Sequence, residues 1–460
     1  MLSRFANSAG ELGLSFKPRR RNYRRPDMHD HLGPTGPKRL LALDGGGVRS
    51  AMSIAILEKI EGTLQRRHGN HDSFKLSDYF DLIGGTSTGA ILAAALATNA
   101  VRASELRTLY EELTRDVFRR GGQFDEKRLG QALERIFGSK TLGGEMATGL
   151  AVVARRVDTD STLVFHNNPE GPNYDDAPEK AALGYARYPV ANVIRASTAY
   201  PGEFAPAQVK LARLPHLEEG LFVDAGFTPF NNPAFQLFLL ATLNNRGFGW
   251  TKGEEQLLVT SVGTGSLCNE LSPASNRRSS RAKQAQRGLN FMIDGAEHTG
   301  ELLMQLLSEP AVPQETIQEF GDLRDARLTP EPQCTYQRYQ AKLTAKTLSD
   351  EFGLGLSTRQ LNRVRNMMDR DGFQIAYEIG QAVADTLVRE DHFPAAFNLE
   401  PLTAARAIKP ADKAQAKEPE AEAEEAPAET VKDMTTSRLA KLAESPALRR
   451  SPLPTGLPRR

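Results

Sequence analysis

Gly85-Thr86-Ser87-Thr88-Gly89 sets a serine between two glycines in the pattern Gly-x-Ser-x-Gly. Such a serine is a nucleophile when a strand runs into it and a helix leaves it. The sharp turn throws its oxygen into solvent, Gly85 and Gly89 relieve crowding, and the helix N-terminus favours negative charge there. A second run, Asp44-Gly45-Gly46-Gly47-Val48-Arg49, exposes several backbone N–H groups with no side chains in the way. Its chemistry is anion binding, to a phosphate or to the oxyanion of an acyl transfer. Alone, the loop leaves both open: as Gly45-x-Gly47-x-x-Ser50 it is a dinucleotide loop without its last glycine, and it lacks the Gly-Lys-Ser/Thr ending of a P-loop. The third feature is Val223-Asp224-Ala225-Gly226, a carboxylate at the end of an apolar run, either a solvated turn residue or a base.

These residues need a frame that brings them together. Arg39 to Leu43 is a short apolar run ending in Asp44 and the glycines, and beyond Ala51 the apolar Ile54, Ile56, Leu57, Ile60 and Leu64 keep helical spacing. Tyr79 to Ile83 predicts a second buried strand, again ended by glycine, with an apolar helix from about Thr88 to Leu96. Further strands are expected over 150–157, 161–165, 221–223 and 257–262, and helices over 192–199, 289–307 and 358–388, the last with Ser357 as N-cap. Strand, glycine turn and helix in repetition are the rhythm of an α/β fold, with a mostly parallel central sheet sandwiched by helices.

In order and spacing the three features resemble the patatin-like phospholipases. Gly46 and Ser87 are 41 residues apart, and Ser87 and Asp224 are 137 apart. Ala196-Ser197-Thr198-Ala199-Tyr200-Pro201, Asn231-Asn232-Pro233 and Val262-Gly263-Thr264-Gly265 resemble further family segments, so the likeness runs from about Arg39 to Gly265 and less distinctly to about residue 395. It implies a Ser87–Asp224 dyad acting through an acyl-enzyme on (lyso)glycerophospholipid esters. It also implies an oxyanion hole from the Gly45, Gly46 and Gly47 loop, supported by Arg49. One departure is Asp224-Ala225-Gly226, where the family usually has Asp-Gly-Gly or Asp-Gly-Ala. Were residue 225 to need a positive φ, alanine would cost on the order of 1–2 kcal/mol.

The 460 residues are 40% hydrophobic and 25% charged with a net charge of +1, so no global field attracts nucleic acid and none is expected as partner. Residues 1–37 are expected to be a basic flexible arm, with six positive side chains between Lys17 and Arg25. This run is either a solvated tail or an attraction to anionic headgroups of ~1 kcal/mol per residue, hence peripheral membrane contact. Residues 38–400 form the expected hydrolase domain, with a catalytic core to 266 and a helical part over 267–400. The Ala/Glu/Pro-rich stretch from 401 to 460 is expected to be disordered. Two cysteines, Cys268 and Cys334, are too few for a disulfide framework and read as free thiols of a reducing, cytoplasmic setting. The eight histidines show no HExxH spacing, so neither metal nor cofactor is expected. The oligomeric state stays open. Three rivals remain: an α/β-hydrolase with a Ser-His-Asp triad, a nucleotide-binding signalling module on the glycine loop, and a phospholipase effector awaiting an activating ligand.

Overall fold

Leu40-Leu41-Ala42-Leu43 has no polar face, which suits only a strand covered on both sides. The computed structural model describes residues 23–401 apart from 99–100, 119–124, 178–181, 212–217, 268–279, 315–318, 320 and 322. Its strands are β1 (Lys38–Leu43), β2 (Leu82–Thr86), β3 (Gly149–Arg156), β4 (Ser161–His166), β5 (Ala207–Lys210), β6 (Glu219–Asp224), β7 (Leu257–Val262), β8 (Glu309–Val312) and β9 (Thr335–Tyr339). Successive side chains of β1 face opposite ways. Leu41 and Leu43 enter one core with the helices Ser50–Arg67, Thr88–Ala97 and Phe373–Leu387, and Leu40 and Ala42 enter another with the helix Ala234–Thr242. The two cores are the two sides of one sheet, and the expected sandwich of helices is present.

β1 lies between β2 and β7, and β2–β3, β7–β9 and β8–β9 continue the parallel pairing on either side. The antiparallel pairs are β3–β4, β3–β6 and β5–β6. β3 pairs with β2 over 149–153, with β6 over 154–156 and with β4 over 151–156. Since β4 overlaps both of the others, it holds the opposite edge of β3. β2 and β6 therefore lie end to end along one edge, running toward each other. Thr86 faces Val153 and Asp224 faces Ala154, so the chain leaving β2 at Ser87 meets the end of β6.

Several expectations are corrected. Where it is described, the arm expected over 1–37 is packed: Tyr23 is in the core, and Asp27 caps a helix, Met28–Leu32, that buries His31. His31 Nδ1 lies 2.8 Å from Asp81 Oδ1, and Arg39 donates to the same carboxylate through Nε at 2.9 Å and an NH2 at 3.0 Å. A polar stretch gives no sign of such a buried partner. The expected helical part over 267–400 also supplies β8 and β9. Thr335-Tyr336-Gln337-Arg338-Tyr339 reads as surface, and its burial depends on partners supplied from elsewhere in the chain. Tyr79 closes a short helix, Leu76–Tyr79, rather than opening β2. The helix expected over 358–388 is two, Thr358–Arg365 and Phe373–Leu387, the first capped by Ser357 as expected. Residues 1–22, the tail from 402 and Cys268 lie outside the described residues. No helix among the described residues is long and apolar enough to cross a membrane.

Burial pushes the Asp81 carboxyl up, but Arg39 and His31 outweigh it and hold it at about 2. Removing a partner from a buried ion pair costs about 3–5 kcal/mol. Asp81→Asn is expected to lose about that much stability in urea unfolding, and a loss below about 1 kcal/mol would show that this tie does not hold the N-terminal segment.

Candidate active site

Ser87 joins β2 to the helix Thr88–Ala97 at φ 54° and ψ −127°, a left-handed backbone that a side chain rarely adopts. The two glycines around it let the turn close. A Cβ on Gly85 would lie 2.3 Å from the Gly89 carbonyl, and one on Gly89 would lie 2.3 Å from Leu43 O. Strain of this kind costs about 1–3 kcal/mol and persists only where surroundings enforce it. Here the Ser87 N–H donates to Ser197 Oγ at 2.8 Å, and Ser197 donates onward to Val153 O at 2.6 Å.

Asp224 ends β6 with 3% exposure. Ser87 Oγ donates to its Oδ2 at 2.5 Å, and the Gly226 N–H donates to its Oδ1 at 2.7 Å. Burial pushes the carboxyl up to about 6, against the pull of these two donors. Ala225 is not among the non-glycine residues with positive φ, which are Asn70, Ser87, Asp160 and Asn245 among the described residues. The strain that alanine would bring at a left-handed position therefore does not arise.

The glycine loop lies against this pair. A Cβ on Gly45 would come within 2.9 Å of Ser87 Cβ and 2.7 Å of Asn231 Oδ1. Gly47 has a φ of 58° and abuts Met367 O, which accepts the Val48 N–H at 2.8 Å. The Gly46 and Gly47 amides, the expected oxyanion donors, each donate to Thr88 Oγ1 at 3.1 Å. Arg49, which follows the loop, donates from its NH1 to Gly265 O at 3.0 Å. Asp44, just ahead of the loop, accepts from the buried Arg338 at 3.1 and 2.6 Å, and Arg338 also reaches Glu297 at 3.2 Å and Glu301 at 3.3 Å.

A cavity of about 710 Å³ joins these parts. Ser87, Asp224, Gly45, Gly46, Gly47 and Arg49 line its polar side, while Gly85 and Gly89 lie behind it in the turn. Ile91, Leu113, Phe118 and Leu129 supply an apolar side. Sequence reasoning missed Thr88, Ser197, Arg338 and the 365–368 segment that closes the cavity over the glycine loop. Thr88 and Ser197 sat inside segments already singled out, whereas Arg338 carried no local signal. No described histidine lines the cavity. His166 is buried between Tyr185 and Phe248, where burial lowers its pKa to about 4. Among the described residues no cluster of His, Cys, Asp and Glu is arranged to hold a metal.

The family described as Patatin-like phospholipase matches residues 41–238, a span that contains the glycine loop, Ser87 and Asp224. The chain is 29% identical over 249 residues to a cGAMP-activated phospholipase of Escherichia coli (strain TW11681), covering 51% of this chain and 64% of that one. It is 29% identical over 248 residues to Patatin group J-1 of Solanum tuberosum, covering 49% and 60%. The matched part thus spans less than two thirds of either relative. Among solved structures, human GIVD cytosolic phospholipase A2 aligns at a TM-score of 0.38 and 12% identity over 77% of this chain and 59% of that chain.

A carboxylate can take a proton only when ionised, so Asp224, raised to about 6, can accept the Ser87 proton only above that pH. Labelling of Ser87 by a fluorophosphonate probe is expected to rise with pH through about 6 and to be absent from Ser87→Ala. A labelling rate that stays flat between about pH 5 and 8 would contradict the assignment of Asp224 as base.

Proposed function

We propose that the protein is a lipid acyl hydrolase acting on carboxylic esters of glycerophospholipids or lysophospholipids, on the premise that residues 41–238, which match the family described as Patatin-like phospholipase, form such a domain. The observation that carries the mechanism is the 2.5 Å bond from Ser87 Oγ to Asp224 Oδ2 in a cavity that no described histidine lines. Asp224 takes the serine proton as Ser87 attacks the ester carbonyl. The tetrahedral intermediate collapses to an acyl-enzyme, and Asp224 returns the proton to the departing alkoxide. Water then attacks the acyl group, giving its proton to Asp224, and a fatty acid leaves as Ser87 is restored. The apolar side of the cavity suits an acyl chain, each buried CH₂ contributing about 0.8 kcal/mol.

Two of the three rivals fit less well. A triad needs a histidine between acid and serine, and here the acid touches the serine directly. A nucleotide loop needs open amides, whereas those of Gly46 and Gly47 are engaged by Thr88. We also propose contact with a lipid surface at the cavity mouth. Phe227 and Met292 line the cavity while 37% and 72% exposed, and Phe291 beside Met292 is 47% exposed. Large apolar side chains in water at an opening mark an interaction site.

Mass spectrometry of a mixed phospholipid pool tests the reaction, run with and without cGAMP because one relative is named for activation by it. Wild-type protein is expected to release fatty acid, while Asp224→Asn falls with Ser87→Ala by about 10⁴-fold. Abolition of hydrolysis by replacing His166, His298 or His392 would restore the triad, and substantial hydrolysis by Asp224→Asn would remove Asp224 as the base. Phe291→Glu with Met292→Glu is expected to cut hydrolysis of vesicle lipid by tenfold, about 1.4 kcal/mol, and to spare a soluble ester. Equal loss on both substrates would remove the proposed lipid contact.

A further inference from the structure

Among the described residues, the charged side chains lining the cavity are Asp224, Glu297, Arg49 and Arg365. Three are engaged: Asp224 accepts from Ser87 at 2.5 Å, Glu297 faces the Arg338 guanidinium at 3.2 Å, and Arg49 donates to Gly265 O at 3.0 Å. Arg365 is different. It is half-buried and its Nε donates to Leu343 O at 2.9 Å, but its NH1 and NH2 have no hydrogen-bond partner and no carboxylate among the described residues. The acids that follow it, Asp369 and Asp371, pair with Arg363 instead, at 3.3 and 4.0 Å.

Arg365 ends the helix Thr358–Arg365, and the chain beyond it is fixed against the glycine loop. Met367 O accepts the Val48 N–H at 2.8 Å and lies 2.4 Å from where a Cβ on Gly47 would stand. At the other end of the loop, a Cβ on Gly45 would stand 2.9 Å from Ser87 Cβ. Gly45 and Gly47 can be no more than about 7 Å apart, so the nucleophile and the 365–368 segment border the same short loop. Leu343, whose carbonyl holds Arg365, packs its side chain against Gly265, whose carbonyl holds Arg49. Both guanidiniums therefore hang from one patch of backbone. A guanidinium anchored through Nε still offers NH1 and NH2 as a planar fork, which matches two oxygens of a single phosphate.

We propose that Arg365 determines substrate specificity: its NH1–NH2 fork binds the headgroup phosphate of a glycerophospholipid while Ser87 attacks an ester one glycerol unit away. The bond to Leu343 O sets the plane of the fork before substrate arrives. Its charge also offsets the repulsion that Asp224 and Glu297, in the same cavity, exert on an anionic group. The proposal rests on the reading of the protein as a lipid acyl hydrolase and narrows it, because a neutral glyceride presents the same esters with nothing for the fork to hold. Arg365 lies outside residues 41–238, so this contact comes from the part of the chain beyond the family match.

The test is kcat/KM of the full chain on matched lipids in neutral detergent micelles. Phosphatidylcholine is set against the diacylglycerol with the same acyl chains, and lysophosphatidylcholine against the corresponding monoacylglycerol. Losing hydrogen bonds to a charged group costs about 10–100-fold in binding. Arg365→Gln is expected to lower the ratio of phospholipid to glyceride hydrolysis by that factor. Arg365→Lys, which keeps the charge but not the fork, should lower it by about threefold to tenfold. A purely structural role would slow both members of a pair together, and a ratio within about twofold of native would overturn the proposal. Circular dichroism checks the fold, and if Arg365→Gln is unfolded the Arg365→Lys ratio decides by the same criterion. Inorganic phosphate added to the glyceride should leave its hydrolysis by native protein unchanged. If it raised glyceride hydrolysis to the phospholipid rate, the fork would serve a free anion and the headgroup assignment would fail. Native protein no faster than Ser87→Ala on every lipid would instead remove the hydrolase reading, and the proposal with it.

Discussion

One edge of β3 serves two strands, and the site depends on that sharing. β2 occupies the edge as far as Val153, and β6 begins its pairing at Ala154 from the opposite direction. Two strand ends therefore meet at a single point, with Ser87, just past the end of β2, facing Asp224, the last residue of β6. β4 covers the other edge across the same residues, so β3 is held on both sides where the two ends meet. A serine and a carboxylate 137 residues apart reach hydrogen-bonding distance because backbone pairing places both, with no third side chain needed between them.

From that junction the electrostatics follow. A carboxylate at a strand end would ordinarily sit in solvent and stay a weak base, but Asp224 is enclosed by the sheet and its coverings, and desolvation disfavours its charge. The left-handed backbone at Ser87 is held from both sides, by Ser197 on its amide and by the tight approach of Gly85 to Gly89. The glycine loop completes the enclosure, fixed at one end by Arg338 on Asp44 and at the other by Arg49 on Gly265. Helix Arg281–Leu307 reaches the same guanidinium through Glu297 and Glu301, so the wall of the cavity and the loop share one anchor.

What the sequence disclosed was local. The apolar runs around Leu41 and Val259, the glycine-flanked serine and the strand-end aspartate carry their meaning within a few residues, and the α/β fold and the family resemblance could be read from them. What stayed hidden was set by partners far along the chain. Arg338 looks like a surface residue of a polar strand until Asp44, 294 residues away, is placed against it. His31 and Tyr23 read as part of a loose basic arm because Asp81 and the core that receives them lie in other elements. Ala225 raised a question of backbone strain that only a dihedral angle answers. The engagement of the glycine amides by Thr88 was equally out of reach, since both residue types sat in the expected motifs and only their mutual geometry shows which groups meet.

The most direct test of the account is the titration of the Asp224 carboxyl, followed by carbon-detected NMR or infrared difference spectroscopy in native protein and in Ser87→Ala. The account predicts a native value of about 6, raised by burial and restrained by the serine donor, and a higher value once that donor is removed. An Asp224 that titrates near the ordinary carboxylate value of about 4, or that is indifferent to the loss of the Ser87 hydroxyl, would contradict the direct serine–aspartate contact on which the mechanism is built.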